Sequence, residues 1–363
     1  MHIKKIILTP FLFTMVATFA AFVTWGCSSK KSGSDADGSV EGDSSLPVDG
    51  SPNGDEPDGR IPDGGETWID AGQSVNDCTD PHPSWLFCED FEYGNGDYDT
   101  WFEHSGFLTA VGGDDRGRID LSNVHAVSGE WSIYMPASAE SGHRGADLVW
   151  YACDGEQRTN CPLLGYERLY FRTMIRFAED HSFMSHFLSV SGLDRFWAYG
   201  SSGCLPNGVS SMGTTVDFDR DTHETFFYTY YLDMGCDTNC GNYMNVSEIC
   251  AHCDNIGFPT CDEQEQCCWG NRFRPTTPAP LPVGEWFCFE MMMEANTPGE
   301  GDGKMAYWIN GQLGHNVETM RWRTTDSLQL NRVKLQHYIP STDRANRVWF
   351  DDVVVSTKRI GCP

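Results

Sequence analysis

The sequence predicts an all-β domain in which two antiparallel sheets pack face to face over about residues 85–362. Three observations carry this expectation. Beyond Cys78 the chain breaks into short apolar or alternating runs, rich in β-branched and aromatic residues and separated by turn residues. Asn310-Gly311 stands between Ala306-Tyr307-Trp308-Ile309 and Gln312-Leu313, the pattern of a two-residue hairpin turn. No stretch sustains the apolar period of a long helix.

In chain order the runs are 85–87, 131–135, 169–177, 226–234, 286–293, 305–309, 333–338 and 348–355. Pro298-Gly299 and Asp302-Gly303 mark the connection between the fifth and sixth. Because strand side chains alternate, Arg172 and Arg176 share one face, opposite Phe171, Ile175 and Phe177. That face is either solvated or a carboxylate-binding patch. Tyr228 shares a face with Tyr230, and Gln336 with Tyr338. Polar aromatics on a sheet suit sugar stacking and hydrogen bonding, or else they are core and rim tyrosines whose hydroxyls found partners.

Fifteen cysteines constrain the compartment. Setting Cys27 aside leaves an even number, suited to disulfides in an oxidising environment. Cysteines 236, 240, 250, 253, 261, 267 and 268 crowd into residues 236–268, which have little apolar content. This segment reads as an insertion held by crosslinks for want of a core of its own. Cys250-x-x-Cys253 with Cys236 and Cys240 offers zinc as the alternative, but export favours disulfides and no metal is expected.

The start of the chain sets that export. Lys4 and Lys5 precede an uncharged run over residues 6–26, which predicts an export signal. The run is also long enough for a retained membrane helix, with Lys30 and Lys31 beyond it. Gly26-Cys27-Ser28-Ser29 resembles the lipobox of bacterial lipoproteins, which makes residues 1–26 a signal peptide and Cys27 a lipidation site on an outer or cell-surface membrane. Residues 27–77, rich in Gly, Ser, Pro and Asp, read as a disordered acidic tether to a domain over 78–363. Their Asp-Gly repeats match no EF-hand spacing. The formal charge of −27 excludes nucleic acid and anionic lipid as partners held by general electrostatics.

Several catalytic signatures are missing: Gly-x-Ser-x-Gly, His-Glu-x-x-His, a phosphate-binding glycine loop, and the Glu-x-Asp-x-x-Glu strand of jelly-roll glucanases. No cofactor is indicated. What is present is an ordered series of segments. Phe87-Cys88-Glu89-Asp90-Phe91-Glu92 opens it and Ser128-Gly129-Glu130-Trp131-Ser132-Ile133 follows. Leu169-Tyr170-Phe171-Arg172-Thr173-Met174-Ile175-Arg176-Phe177, Tyr307-Trp308-Ile309-Asn310-Gly311 and Arg321-Trp322-Arg323-Thr324 come next. Val348-Trp349-Phe350-Asp351-Asp352-Val353-Val354-Val355-Ser356 nearly ends the chain. In this order the series resembles concanavalin-like jelly rolls, in particular bacterial polysaccharide lyases of the glucuronan- and alginate-lyase type.

The resemblance implies a jelly-roll sandwich with adjacent ends, and hence Cys362 paired with Cys78 or Cys88. It implies a polysaccharide partner, uronic-acid-containing or neutral, and cleavage by β-elimination; a non-catalytic glycan-binding or structural surface protein is the alternative. β-Elimination needs a cation or donor on the C5 carboxylate, a base for the C5 proton and an acid for the leaving oxygen. Arg172, Arg323 or Gln336 answers to the first role. His186 with Tyr228, Tyr230 or Tyr338 answers to the others, provided that an arginine lowers the tyrosine's pKa. His337 is a further binding candidate. Those lyases often carry Gly-Gly-Lys-Leu-Pro-Gly on a substrate-facing strand, where this chain reads Ser185-His186-Phe187-Leu188-Ser189-Val190-Ser191-Gly192 and has no lysine.

The lipoprotein reading is checked by cell fractionation. Cys27→Ala is expected to release the protein from membranes or to block its processing; an unchanged variant that keeps residues 6–26 means a retained helix.

Overall fold

The computed structural model describes residues 77–109, 119–137, 145–154, 160–181, 186–196, 203–219, 222–236, 253, 268–338 and 346–363. Residues 1–76, which the sequence reading takes as signal peptide, lipidated Cys27 and tether, lie outside them, as do Cys240, Cys250, Cys261 and Cys267.

The fold is a jelly-roll sandwich of two antiparallel sheets. One sheet runs β13 (Gln312–Met320), β12 (Gly303–Ile309), β11 (Trp286–Glu294), β6 (Arg168–Phe177), β15 (Asn346–Ser356), β4 (Ser132–Ala137) and β3 (Asp120–Ser122), and β1 (Trp85–Glu89) also pairs with β15. This is the eight-stranded sheet. The seven-stranded sheet runs β10 (Asn271–Phe273), β9 (Thr225–Tyr230), β8 (Ser211–Phe218), β7 (Leu188–Leu193), β14 (Arg332–Tyr338), β5 (Gly145–Tyr151) and β2 (Leu108–Thr109). A short helix, α1 (Tyr98–His104), buries Trp101, and its first turn is capped by the Asp97 side chain accepting from Thr100 N.

Alternation builds the core. Phe287, Phe289, Met291 and Met293 of β11 and Phe171, Ile175 and Phe177 of β6 point inward from the eight-stranded sheet. Val190, Val216, Phe227, Val333 and Leu335 answer from the seven-stranded sheet. Ring contacts cross between the layers, Phe187 to Phe289 at 6.0 Å and Phe227 to Tyr307 at 5.2 Å. Each fully buried side chain of this kind stabilises by about 1.5–3 kcal/mol. At the expected hairpin, Asn310 and Gly311 have φ of 50° and 78°, the left-handed pair that a two-residue turn requires.

Around Glu290 and Arg172 the outer face of the eight-stranded sheet is covered, not solvated. Residues 357–362 cross it as a strap. Glu290 of β11 is 0 % exposed, and its carboxylate accepts from Ile360 N at 2.7 Å and Gly361 N at 3.1 Å. Arg359 approaches the same carboxylate at 3.6 Å and lies over the Trp308 ring at 4.4 Å. Arg172, 5 % exposed, lies over Trp85 at 5.7 Å and reaches the Gly361 carbonyl at 3.5 Å.

The cysteine pairing corrects one expectation. The two ends of the sandwich do meet, since β1 pairs with β15. Yet Cys78 bonds Cys88, and Cys362 bonds Cys288. The strap carries Cys362 across to β11 rather than along β15, so the β1 cysteine is out of reach. Cys236–Cys268 closes the base of the insertion, while Cys253 leaves its neighbours to bond Cys204. Cys153–Cys161 is the fifth disulfide among the described residues.

The Cys288–Cys362 bond spans 74 residues, and closing a loop of that length is worth about 4 kcal/mol through the unfolded chain. Replacing both cysteines by alanine is expected to lower Tm by roughly 10 °C in a calorimetric scan. An unchanged Tm would remove the strap from the stability account.

Candidate functional site

The seven-stranded sheet turns Val333, Leu335 and His337 of β14 inward, so Arg332, Lys334 and Gln336 stand on its outer face. Register extends that face in rows. Lys334 pairs with Val149 and Ser189, Ser189 with Thr215, Thr215 with Tyr228, and Tyr228 with Arg272. One row along, Gln336 pairs with Asp147 and donates its backbone N–H to Phe187 O, while Asp217 pairs with Phe226. One row the other way, Arg332 pairs with Tyr151 and Ser191, Ser191 with Gly213, and Gly213 with Tyr230. Small residues, Ser189, Ser191, Thr215 and Gly213, thus floor the middle strands. Cations and an amide rise on one side, tyrosines on the other.

His186 joins the tyrosine side just before β7. Its φ is 52°, a left-handed conformation uncommon outside glycine. Asp217 holds it there, since Oδ1 accepts the His186 backbone N–H at 2.5 Å and lies 3.2 Å from Nδ1. The imidazole sits 5.3 Å from the Tyr228 ring, centroid to centroid. The Tyr228 hydroxyl receives the Gly270 N–H at 3.0 Å and lies 3.3 Å from the Tyr230 hydroxyl. A Cβ at residue 270 would come within 2.7 Å of the Tyr228 ring, so only glycine permits this packing.

Lys334 is the electrostatic centre of the opposite side. Burial lowers its pKa to about 8, with help from Arg332, while Asp147 and Asp217 pull the other way. The ammonium is 3.5 Å from Asp147 Oδ2. Arg332 lies over the Tyr151 ring at 5.8 Å, and its Nε has no hydrogen-bond partner among the described residues.

The candidates named from sequence divide accordingly. His186, Tyr228, Tyr230 and Gln336 come together on this face. Tyr338 ends β14 opposite Gly145, and its side chain lies outside what the structure describes. Burial and the neighbouring Tyr228 raise the Tyr230 pKa, the direction opposite to the lowering that an arginine-activated base requires.

Three candidates are elsewhere. Arg172 is locked under the strap on the other sheet, because its parity on β6 is opposite to the core face and the strap then covers it. Arg323 is 2 % exposed and spends its guanidinium on Glu167, Asn296 O and Leu328 O. His337 points into the core at 0 % exposure, with its ring 6.5 Å from that of His181. Lys334, Arg332, Asp217 and Asp147 were missed. Lys334 shares the parity of Gln336 and was open to the same alternation argument. Asp217 lies on β8, whose Gly and Thr content weakens its strand signal, and Asp147 lies on β5, just before Leu148-Val149-Trp150-Tyr151.

A cavity of ≈ 470 Å³ opens past the Arg332 end, lined by Leu163, Leu193, Arg195, Phe196 and Gln329; His186, Tyr228, Lys334 and Gln336 take no part in it.

No protein-family model matches the chain. No curated protein matches it. Among solved structures it is similar to an endo-β-1,4-glucuronan lyase from the fungus Trichoderma reesei, at TM-score 0.44 and 13% identity, covering 76% of this chain and 96% of that one. An alginate lyase from Aplysia kurodai gives TM-score 0.48 and 14% identity over 76% and 99%. One from a Chlorella virus gives 0.43 and 10% over 67% and 94%. Likenesses of this size leave the chemistry of the face to its own residues.

The buried histidines generate a pH dependence. Burial lowers His337 to about 4, against the Met135 carbonyl that raises it, and lowers His181 to about 2 with His337 and His223 nearby. The unfolded chain takes up these protons near 6.5 and the fold does not, so stability falls as pH drops from 6.5 through 4. His337→Leu is expected to flatten that fall in thermal scans; a slope equal to wild type would refute this source.

Proposed function

We propose that this chain is an exported lipoprotein, anchored through Cys27 and a tether, whose domain over 78–363 binds a uronic-acid polymer and cleaves it by β-elimination. The observation that carries the reading is the pairing across one sheet face of Arg332, Lys334 and Gln336 with His186, Asp217 and Tyr228. Two adjacent cations are an unusual feature on a chain of net charge −27, and they suit an anionic group on the ligand. The backbones of β14 and β9 are three strand spacings apart, about 14 Å, which leaves room for a sugar ring between the two sides.

In this reading Arg332, Lys334 and Gln336 hold the C5 carboxylate and stabilise the charge that develops on it. His186, with Nδ1–H donating to Asp217, presents Nε2 as the base for the C5 proton. The C–H electron pair forms the C4=C5 double bond, the C4–O bond breaks, and the Tyr228 hydroxyl protonates the departing oxygen. The lysine absent from residues 185–192 has a substitute one strand away, because Lys334 is in register with Ser189.

The test is incubation with a panel of polyuronates and neutral glycans, following ultraviolet absorbance of unsaturated uronides alongside binding. Product is expected from a polyuronate, with a loss of at least about 10²-fold in His186→Ala and Tyr228→Phe. Binding without product identifies a non-catalytic glycan-binding protein; neither on a broad panel defeats the reading.

Lys334 adds a pH test. Its charge is present below about 8 and lost above it, so polyuronate affinity should fall as pH rises through that value. Lys334→Arg, which keeps its charge, should abolish the alkaline loss. Alkaline weakening that persists in this variant assigns the effect to another group.

A further inference from the structure

A second cationic feature stands at the far edge of the same face. Phe226 of β9 points outward, yet it is only 4 % exposed. The side chains over it are arginines: the Arg272 guanidinium lies 5.3 Å from its ring centroid and that of Arg274 lies 4.5 Å from it. Both arginines are themselves exposed. Arg274 is steadied by Asp219 at 3.3 Å. Arg272 has no carboxylate within ion-pair distance among the described residues, so its fork of donors is oriented by the ring and unspent. Stacking of this kind pre-organises guanidinium groups for planar anions, and less rotamer entropy is lost when one binds.

Position gives the pair its meaning. Arg272 lies in the row of Lys334, Ser189, Thr215 and Tyr228, four strand spacings from Lys334, about 19 Å away. No single sugar spans that distance. A polymer with a carboxylate on each unit does.

We propose that Arg272 and Arg274, clamped on Phe226, form a second anion site that holds a distal carboxylate of the same acidic glycan, several sugar units from the bond being cleaved. This rests on the reading of the Lys334 face as a polyuronate site and extends it to the direction and length of the ligand: the chain lies across the strands from β14 to β10, and the protein favours long acidic substrates over short ones.

The experiment titrates the full chain with di-, tetra- and hexasaccharides of a polyuronate that it binds. Sulfated and neutral oligosaccharides of equal length serve as comparisons. In wild type, affinity should climb steeply between the disaccharide and the hexasaccharide. In Arg272→Gln, and more so in Arg272→Gln with Arg274→Gln, that gain should shrink by about 10-fold or more, the loss of a charge-assisted contact. Arg272→Gln alone leaves Arg274 over Phe226, and its thermal transition reports whether the edge remains folded. An undiminished length dependence in a folded variant overturns the distal site and leaves the primary reading standing. A gain that collapses equally for neutral oligosaccharides also overturns it, because the contact is then not with an anion. Wild type that binds no uronic oligosaccharide of any length defeats both.

Discussion

Burial of Val333, Leu335 and His337 in the core is the constraint on which the polar face depends. A strand has two faces and a period of two, so committing these three residues to the interior commits Arg332, Lys334 and Gln336 to the exterior. β14 is central, hydrogen-bonded to β5 on one side and β7 on the other. Its cations therefore stand in the middle of the sheet, where neighbours on both sides exclude water. That is why the Lys334 pKa is lowered, burial and Arg332 outweighing the opposing pull of Asp147 and Asp217.

The opposite sheet uses the same chemistry for cohesion. Glu290, Arg172 and Arg359 are charged groups kept from water, and burial alone pushes the Glu290 pKa upward. Two backbone amides of the strap and two guanidinium groups counter that cost. Taking away one member of such a cluster leaves the others buried without compensation, which is more damaging than never having built it. The strap, its disulfide to Cys288 and the cation–π contact on Trp308 thus act as one closure over the eight-stranded sheet. The two outer faces of the sandwich carry similar residue types with different results: around Glu290 one is closed by residues 357–362, and the other presents its charges outward.

His186 shows how a loop residue is brought into such a face. The left-handed backbone costs energy, and the Asp217 carboxylate offsets it by accepting both the amide and the ring. Gly270 does the equivalent for Tyr228 by leaving space against its ring and donating its amide to the hydroxyl. Neither effect involves a residue adjacent in sequence to the one positioned.

The sequence by itself determined the sandwich, because short alternating runs and the Asn310-Gly311 turn act over a few residues and need no distant partner. It also determined that Tyr228 shares a face with Tyr230, since parity within a strand is local. It could not determine which face of each strand meets the core of which sheet. Arg172 and Gln336 look alike as polar residues on alternating strands, yet the strap buries the first and leaves the second on the polar face. Arg323 and His337 were set apart by burial that no local pattern reveals. The pairing of Cys362 with Cys288, the approach of His186 to Tyr228 and the alignment of Lys334 with Ser189 were decided only by the tertiary structure. Each joins segments far apart in the chain through strand register, and register is set by how two whole faces pack.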